Sequence, residues 1–170
     1  DRDGRELRNG APVAHCGRNR DCIASINADE VNFWKPSGQG FGAIEVGTPF
    51  LFKLKSPINK IVGGGYFIRS EQIPLSLAWD AFGNKNGSSN LNDLRNKINS
   101  LRAKPEADPT IGCIILNQPF FFSEDKWIDV PNSFATNIVT GKTYDTSKQD
   151  GARLWNEVAL RLNDLKTVSQ

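Results

Sequence analysis

The sequence of 170 residues contains no methionine, one histidine and three cysteines. A single histidine, His15, cannot build a two-histidine metal site or a histidine-based nuclease centre from this chain alone. Cys16 and Cys22 lie near one end and Cys113 stands in an apolar run, an odd set that spells out neither a disulfide framework nor a zinc site. No metal and no other cofactor is expected. No apolar run approaches the roughly 20 residues that span a bilayer. No basic start followed by an apolar stretch marks a secretory signal. With Asp1 at its start and no methionine anywhere, the chain is expected to be processed or excerpted from a longer one. These absences place a soluble, cytoplasmic binding domain ahead of a self-contained enzyme.

What is present is an ordinary globular mix, 38% hydrophobic and 24% charged, in a length that suits one domain. Net charge is only +2, but it is unevenly spread. Residues 31–70 carry Lys35, Lys53, Lys55, Lys60 and Arg69 against Glu45 alone. A local positive lobe suits an anionic partner gripped at one place. Lysines that merely blunt exposed strand edges give the same pattern.

Residues 1–28 read as polar and irregular, with a frayed helical turn before Gly10. Pro49–Leu54 has strand composition, a turn follows at Ser56–Asn59, and Lys60–Arg69 reads as a second strand interrupted by three glycines. Together they suggest an antiparallel pair with a bulge or a close backbone approach. Ser76–Phe82 is a short amphipathic helix ended by Gly83. Asn90 can cap a better helix whose Leu91, Leu94, Ile98 and Leu101 share one face, with Asp93 near its positive end. Ile111–Leu116 is an apolar strand, Phe120–Phe122 another, and Lys126–Val130 a third short one. Asn132–Thr140 reads as a loop. Thr146 or Ser147 can cap a last helix with Leu154, Trp155, Val158, Leu162 and Leu165 as its buried stripe. Short strands with helices between them predict an α+β domain, a small curved barrel-like mixed sheet with about three helices packed around it.

An ordered string of landmarks carries a resemblance. It runs Trp34-Lys35-Pro36-Ser37-Gly38, Gly47-Thr48-Pro49-Phe50-Leu51-Phe52-Lys53-Leu54 and Ile61-Val62-Gly63-Gly64-Gly65-Tyr66-Phe67. It continues with Ser76-Leu77-Ala78-Trp79-Asp80-Ala81-Phe82-Gly83, Ile111-Gly112-Cys113 and the stretch from Asn137 to Asp145. The string resembles the N-terminal region of restriction endonucleases that carry an HNH nuclease domain at their C-terminal end, and a looser similarity joins it to the PUA-like superfamily of EVE, ASCH, YTH and SRA domains. The resemblance covers roughly residues 29–165. It implies a PUA-like reader domain over 29–166, preceded by a segment, 1–28, that departs from the family in having no aromatic residue before Phe33. It further implies DNA as partner, a modified base as the feature recognised, and an HNH domain as the cutting partner in the full-length protein, in the manner of a bacterial defence nuclease.

A reader of modified bases extrudes the base, holds it between flat side chains and meets its edge with polar groups. The loop from Phe33 to Gln39 supplies the ingredients: Trp34 to stack, Ser37 and Gln39 to hydrogen-bond, and Lys35 for a phosphate. Equally, Trp34 caps the core beside a glycine-rich turn. Gly64 and Tyr66 belong to a strand whose glycines expose backbone, either to a ligand or to a chain segment crossing tightly. The run is no P-loop, since the Gly-Lys-Ser/Thr ending is absent. Trp79 has a ligand-cage reading and a more ordinary one as core. Asn137, Lys142, Tyr144 and Asp145 lie in a loop before the last helix, where Tyr144 and Asp145 either line a pocket or simply start that helix, Asp145 complementing its dipole. The polar Asn84–Gly87 stretch either tracks a nucleic-acid backbone or is a solvated turn. Phe120–Phe122 with Trp127 reads as core.

The base-binding candidates are therefore Trp34, Ser37, Gln39, Gly64, Tyr66, Trp79, Asn137, Tyr144 and Asp145. The phosphate candidates are Lys35, Lys53, Lys55, Lys60 and Lys142. No catalytic residue is assigned: His15-Cys16 has no orienting partner in view, and Glu124, Asp125 and Asp129 look like solvated turn carboxylates. The expected function is DNA binding with base flipping and no hydrolysis by this chain. The rivals are an RNA-binding module of the same fold and a domain that binds a small ligand or another protein.

Overall fold

A computed structural model describes residues 11–15, 29–37, 44–54, 57–134 and 141–168. Contacts divide the chain into two compact units, one of Asp1–His15, Thr48–Gly65 and Phe120–Gln170, the other of Cys16–Gly47 and Tyr66–Pro119. Among the described residues the strands are β1 (Ala11–His15), β2 (Glu30–Lys35), β3 (Pro49–Lys53), β4 (Lys60–Pro74), β5 (Thr110–Phe121), β6 (Ile128–Asp129) and β7 (Gly141–Tyr144). The α-helices are α1 (Leu75–Phe82), α2 (Leu91–Ser100) and α3 (Gln149–Val168), so the α+β class expected from the sequence is what forms. The strands β4 and β5 are long enough to give one end to each unit.

In the unit of Cys16–Gly47 and Tyr66–Pro119, β2, β5 and β4 are neighbours in that order. The strand β2 runs antiparallel to β5 along its whole length, from Glu30 opposite Asn117 to Lys35 opposite Gly112. Ile111, Ile114, Ile115 and Leu116 are fully buried, which explains an apolar run without alternation: both faces of this strand are covered. The sequence suggested two strands separated at Asn117–Pro119, but β5 is continuous. Gln118 takes up the irregularity with a left-handed φ of 47° while its N–H donates to the Asp29 carbonyl at 2.9 Å, so pairing is carried past the bend.

Two helices cover one face of this sheet segment. Leu75, Ala78 and Phe82 of α1 and Leu94 and Ile98 of α2 form a core with Trp34, Ile111, Cys113 and Ile115. Asn90 caps α2 as expected, accepting from the Asp93 N–H at 2.7 Å. Leu101 leaves the predicted stripe and is 57% exposed, because it lies past the last helical residue, where the 3.6-residue repeat no longer holds. The start of α1 follows Pro74 and has no side-chain cap of its own. Asp108 supplies one from elsewhere, accepting from the Ser76 N–H at 2.8 Å and its hydroxyl at 2.7 Å. These two bonds hold the Asp108 carboxyl below its ordinary pKa.

In the other unit, all five residues of β3 are buried, and the Leu54 N–H donates to the Lys60 carbonyl at 2.9 Å where the chain turns into β4. The glycines in β4 answer to backbone approach. A Cβ on Gly63 would stand 2.2 Å from the Phe120 carbonyl oxygen, and one on Gly64 would stand 2.4 Å from that of Phe50. Phe52 stacks on Phe121 with centroids 5.9 Å apart, and Phe120 tilts on Phe122 at 5.6 Å.

Three expectations are corrected here. Residues 11–15 are a strand rather than part of an irregular segment, parallel to β3 and antiparallel to β7. Pro12 falls outside the Val13–His15 overlap with β3, where the strand has a neighbour on one side only and a missing N–H is tolerated. Residues 141–144, expected as loop, are the strand that pairs with it. The short strand expected over 126–130 shrinks to Ile128–Asp129 beside Lys60 and Ile61, after a 3-10 turn at Glu124–Lys126.

The last helix begins at Gln149, after an Asp145 turn rather than a Thr146 or Ser147 cap. Asp145 accepts from the N–H and hydroxyl of Ser147 at 2.8 and 2.7 Å. Leu154 and Val158 are buried and Trp155 and Leu162 half-buried, but Leu165 is exposed where the helix runs on past the core.

Candidate nucleic-acid interface

The site proposed from the sequence starts at the root of the loop after β2. Alternation along Val31-Asn32-Phe33-Trp34 sends Asn32 and Trp34 to the face that the helices cover. Trp34 lies across from Cys113 and is 8% exposed. Its indole N–H donates to the Asn86 carbonyl at 2.9 Å. Of the two readings of Trp34, this placement is the core one: the ring is packed against apolar side chains and its polar edge is already used.

Asn32 is completely buried one step earlier. Its Nδ2 donates to Asn86 Oδ1 at 2.8 Å and to the Cys113 sulfur at 3.2 Å, while its Oδ1 has no hydrogen-bond partner. Asn86 donates in turn to the carbonyls of Ala78 at 3.1 Å and Gly83 at 2.8 Å. The Asn84–Gly87 stretch is therefore neither a solvated turn nor a backbone track. It is a 3-10 turn (Gly83–Asn86) whose last residue is fully buried, with Ser88 behind it accepting from Lys97 Nζ at 3.1 Å. Lys85 reaches Asp29 at 3.2 Å and lowers that carboxyl's pKa. The turn thus grips β2 at its beginning, middle and end.

The loop itself leaves from a second anchor. Arg102, in the segment after α2, donates from Nη1 to the Pro36 carbonyl at 2.6 Å. Its other contacts run to the carbonyls of Thr110 and Lys104 and to Glu106. Beyond this anchor Lys35 is half-buried and Ser37 is exposed. Gln39 lies outside the described residues. Burial pushes the Cys113 thiol up, against a smaller opposing effect of its bond from Asn32. It stays protonated and offers no nucleophile.

The remaining candidates divide between the units. Trp79 packs half-buried against the core of the unit that holds Trp34, and Tyr66 is half-buried in the same unit. Gly64, Lys53, Lys60, Tyr144 and Asp145 belong to the other. Gly64 answers to the strand crossing already described. Lys53 is 3% exposed, bonded to the Leu54 carbonyl at 3.1 Å and Asn59 Oδ1 at 3.0 Å, with its ammonium 5.0 Å from the Phe134 ring centre. It is turned to protein acceptors rather than presented at the surface. Lys60 is ion-paired with Asp129.

Tyr144 is 5% exposed, and its hydroxyl is 3.3 Å from Ser133 Oγ, which is also 2.5 Å from Asp150 Oδ2. The short contact gives the Ser133 proton to Asp150 and leaves Tyr144 as donor to Ser133. Burial is the chief cause that raises the Tyr144 phenol above its ordinary pKa. Bonds from Ser147 lower Asp145, the behaviour of a turn carboxylate. Lys55 and Asn137 lie outside the described residues, as does the side chain of Lys142, whose backbone is in β7.

Two residues escaped the sequence reading, Asn32 and Arg102, and Asn86 was read only as part of a polar stretch. A signal existed for Asn32, a carboxamide set between valine and two aromatics in a strand. Arg102 left none, because its partners are backbone carbonyls that no motif records. Among the described residues no cluster of His, Cys, Asp and Glu could hold a metal ion, and no helix is long and apolar enough to cross a membrane.

No family model matches the chain, and no curated protein matches it in sequence. Solved structures do. An ASCH protein of Zymomonas mobilis superimposes with a TM-score of 0.55 over 84% of this chain and 91% of its own, at 8% identity. A serine-to-alanine variant of that protein gives 0.55 over 89% of this chain and 97% of its own, at 7% identity. A tyrosine-to-phenylalanine variant gives 0.54 over 86% and 96%, at 9% identity. The chain has an ASCH-type fold. The α+β fold expected from the sequence is thus the fold of these ASCH structures. At such identity the ASCH likeness is one of architecture, and no residue role passes across it.

Proposed function

We propose that this ASCH-type domain is a DNA reader, the specificity module of a modification-dependent, type IV-like restriction nuclease. It would extrude a modified base from the duplex and leave the cutting to an HNH domain of the full-length protein. The observation that carries the reading is the double anchoring of one loop. Lys35 and Ser37 bring a cation and a hydroxyl to the end of a strand whose Trp34 is held by Asn86 and whose following residue, Pro36, is held by Arg102. Rigidly rooted loops with short polar side chains suit the reading of a base edge, where a displacement of an ångström spoils the hydrogen bonds. The PUA-like architecture, shared by readers of nucleic acid, and the landmark string support the same reading.

In it Ser37 and Gln39 meet the base edge, Lys35 meets a phosphate, and Trp34 holds the loop root in register. Tyr66 and Trp79 belong to the same unit. Tyr144, Asp145 and the lysines of the other unit are not needed for it.

The test is fluorescence-polarisation binding at about physiological salt. One duplex sequence is presented unmodified and with 5-methylcytosine, 5-hydroxymethylcytosine or N6-methyladenine, beside single-stranded RNA. The expected result is preference for one modified duplex, lost in Ser37→Ala and Gln39→Ala and weakened uniformly in Lys35→Ala. Preference for RNA would instead support the RNA-binding rival. Equal, weak, salt-sensitive binding to every probe would overturn the nucleic-acid reading altogether.

A further inference from the structure

Asn86 is followed by Gly87, and a glycine after asparagine leaves the next backbone nitrogen unshielded toward the side-chain amide. In a mobile chain such a pair deamidates without an enzyme. The Gly87 nitrogen attacks Cγ of Asn86, a new C–N bond closes a succinimide, and the bond to the side-chain amino group breaks. The proton given up by Gly87 leaves on the departing ammonia. Water then opens the ring to aspartate or isoaspartate. The sum is amide plus water giving acid plus ammonia, with nothing oxidised or reduced.

We propose that Asn86–Gly87 is a latent modification site, held inert by the fold and released when the Gly83–Ser88 segment opens. Three features hold it. Asn86 lies in a 3-10 turn, and ring closure requires its backbone to leave that conformation. The Gly87 N–H donates to the Asn84 carbonyl at 3.0 Å, so the nitrogen that must attack is engaged and less easily deprotonated. The side-chain amide is engaged on both atoms by Asn32, Ala78 and Gly83 in a residue with no exposure, beyond the reach of water and base.

The same bonds make the product incompatible with closure. Aspartate would turn a carboxylate oxygen toward the carbonyls of Ala78 and Gly83, acceptor against acceptor in a buried place. Isoaspartate would lengthen the main chain by one carbon where Trp34 finds its acceptor. Conversion therefore makes a transient opening permanent. The unpartnered Oδ1 of Asn32 weakens this spot and favours opening there, since an open segment returns that atom to water.

The experiment incubates the folded chain and the same chain in denaturant at mildly alkaline pH. Peptides are then followed by the mass change of amide-to-acid conversion and by isoaspartate-specific methylation. In denaturant both Asn9–Gly10 and Asn86–Gly87 convert, which shows that the chemistry is running. In the folded chain Asn86 converts at least about tenfold more slowly, the protection expected of a residue that reacts only from an opened state. Trp34→Phe, which keeps the ring but deletes the bond to the Asn86 carbonyl, raises the folded rate. Equal rates at Asn86 in folded and denatured chains would overturn the proposal, with or without that variant. Conversion at Asn86 that leaves the unfolding midpoint unchanged would overturn it as well.

Discussion

The guanidinium of Arg102 donates to the carbonyl of Pro36 at 2.6 Å, tying the segment after α2 to the turn that follows β2. The Arg102 side chain is 17% exposed, so the bond is largely withdrawn from water. Arg102→Ala is expected to cost about 1.5–3 kcal/mol of stability, the range for hydrogen bonds to a charged donor. It should also speed amide exchange at Lys35 and Ser37, which flank the proline. In the proposed reader it weakens binding to the preferred duplex without touching the ligand, and faster exchange with unchanged affinity would remove the anchor from the mechanism.

Asn32 and Asn86 face one another, but their loss should not be equal. Asn86→Ala strips partners from Asn32, Ala78 and Gly83 at once, and about 3 kcal/mol is expected from leaving buried groups unpaired. Asn32→Leu removes an amide whose oxygen is already unpartnered, so about 1 kcal/mol is expected. Denaturant unfolding of the two variants decides the order, and a costlier Asn32→Leu would contradict this account of the network.

Glycines at three positions separate two physical causes. Gly63→Ala and Gly64→Ala press a methyl against rigid backbone carbonyls and are expected to cost about 2 kcal/mol or more each, as overpacking does. Gly83→Ala meets nothing within 4 Å, and its cost comes from the backbone alone, since φ +51° with ψ −127° is a conformation that L side chains rarely adopt, about 1–3 kcal/mol. Gly63→Ala and Gly64→Ala variants as stable as the parent chain would mean that the backbone approach is looser than described.

Tyr144 gives an alkaline signature. Burial raises its folded-state pKa, so the folded chain holds the phenol proton more tightly than the unfolded chain. That contribution is whole below the ordinary phenol value of 10.0 and is lost as pH rises through the raised one. Tyr144→Phe should therefore show a shallower fall in unfolding midpoint above pH ~10 than the parent chain, both measured with Tyr66→Phe to silence the other tyrosine. Parallel slopes would show that the phenol is not buried as a proton donor.

What could be read from the sequence was what local chemistry decides. Asn90, Asp93, Leu94 and Ile98 specify a capped helix by spacing alone, and Pro49–Leu54 specifies a strand by composition. The α+β class and the PUA-like architecture followed from such elements and from the landmark string. Ala11–His15 and Gly141–Tyr144 were missed because neither is strand-like on its own; each is a strand because the other lies beside it. Thr110–Phe121 reads in sequence as two strands with Asn117–Pro119 between them, since the polar Asn-Gln-Pro run that carries the left-handed Gln118 looks like a turn.

The candidate site was less open to sequence reading. Aromatic residues that suit a base also suit a core, and only packing separates the two for Trp34. Trp34 is supported by Asn86, 52 positions away along the chain, and Pro36 by Arg102, 66 positions away.

The unbroken course of β4 bears on how the chain can vary. Its fifteen residues run from Lys60 to Pro74 without a turn, and the glycines against their crossing carbonyls lie in its first half. Strand side chains alternate, so one inserted or deleted residue inside β4 would reverse the facing of every position beyond it. Natural length variation among relatives of this chain is therefore expected to be excluded from 60–74.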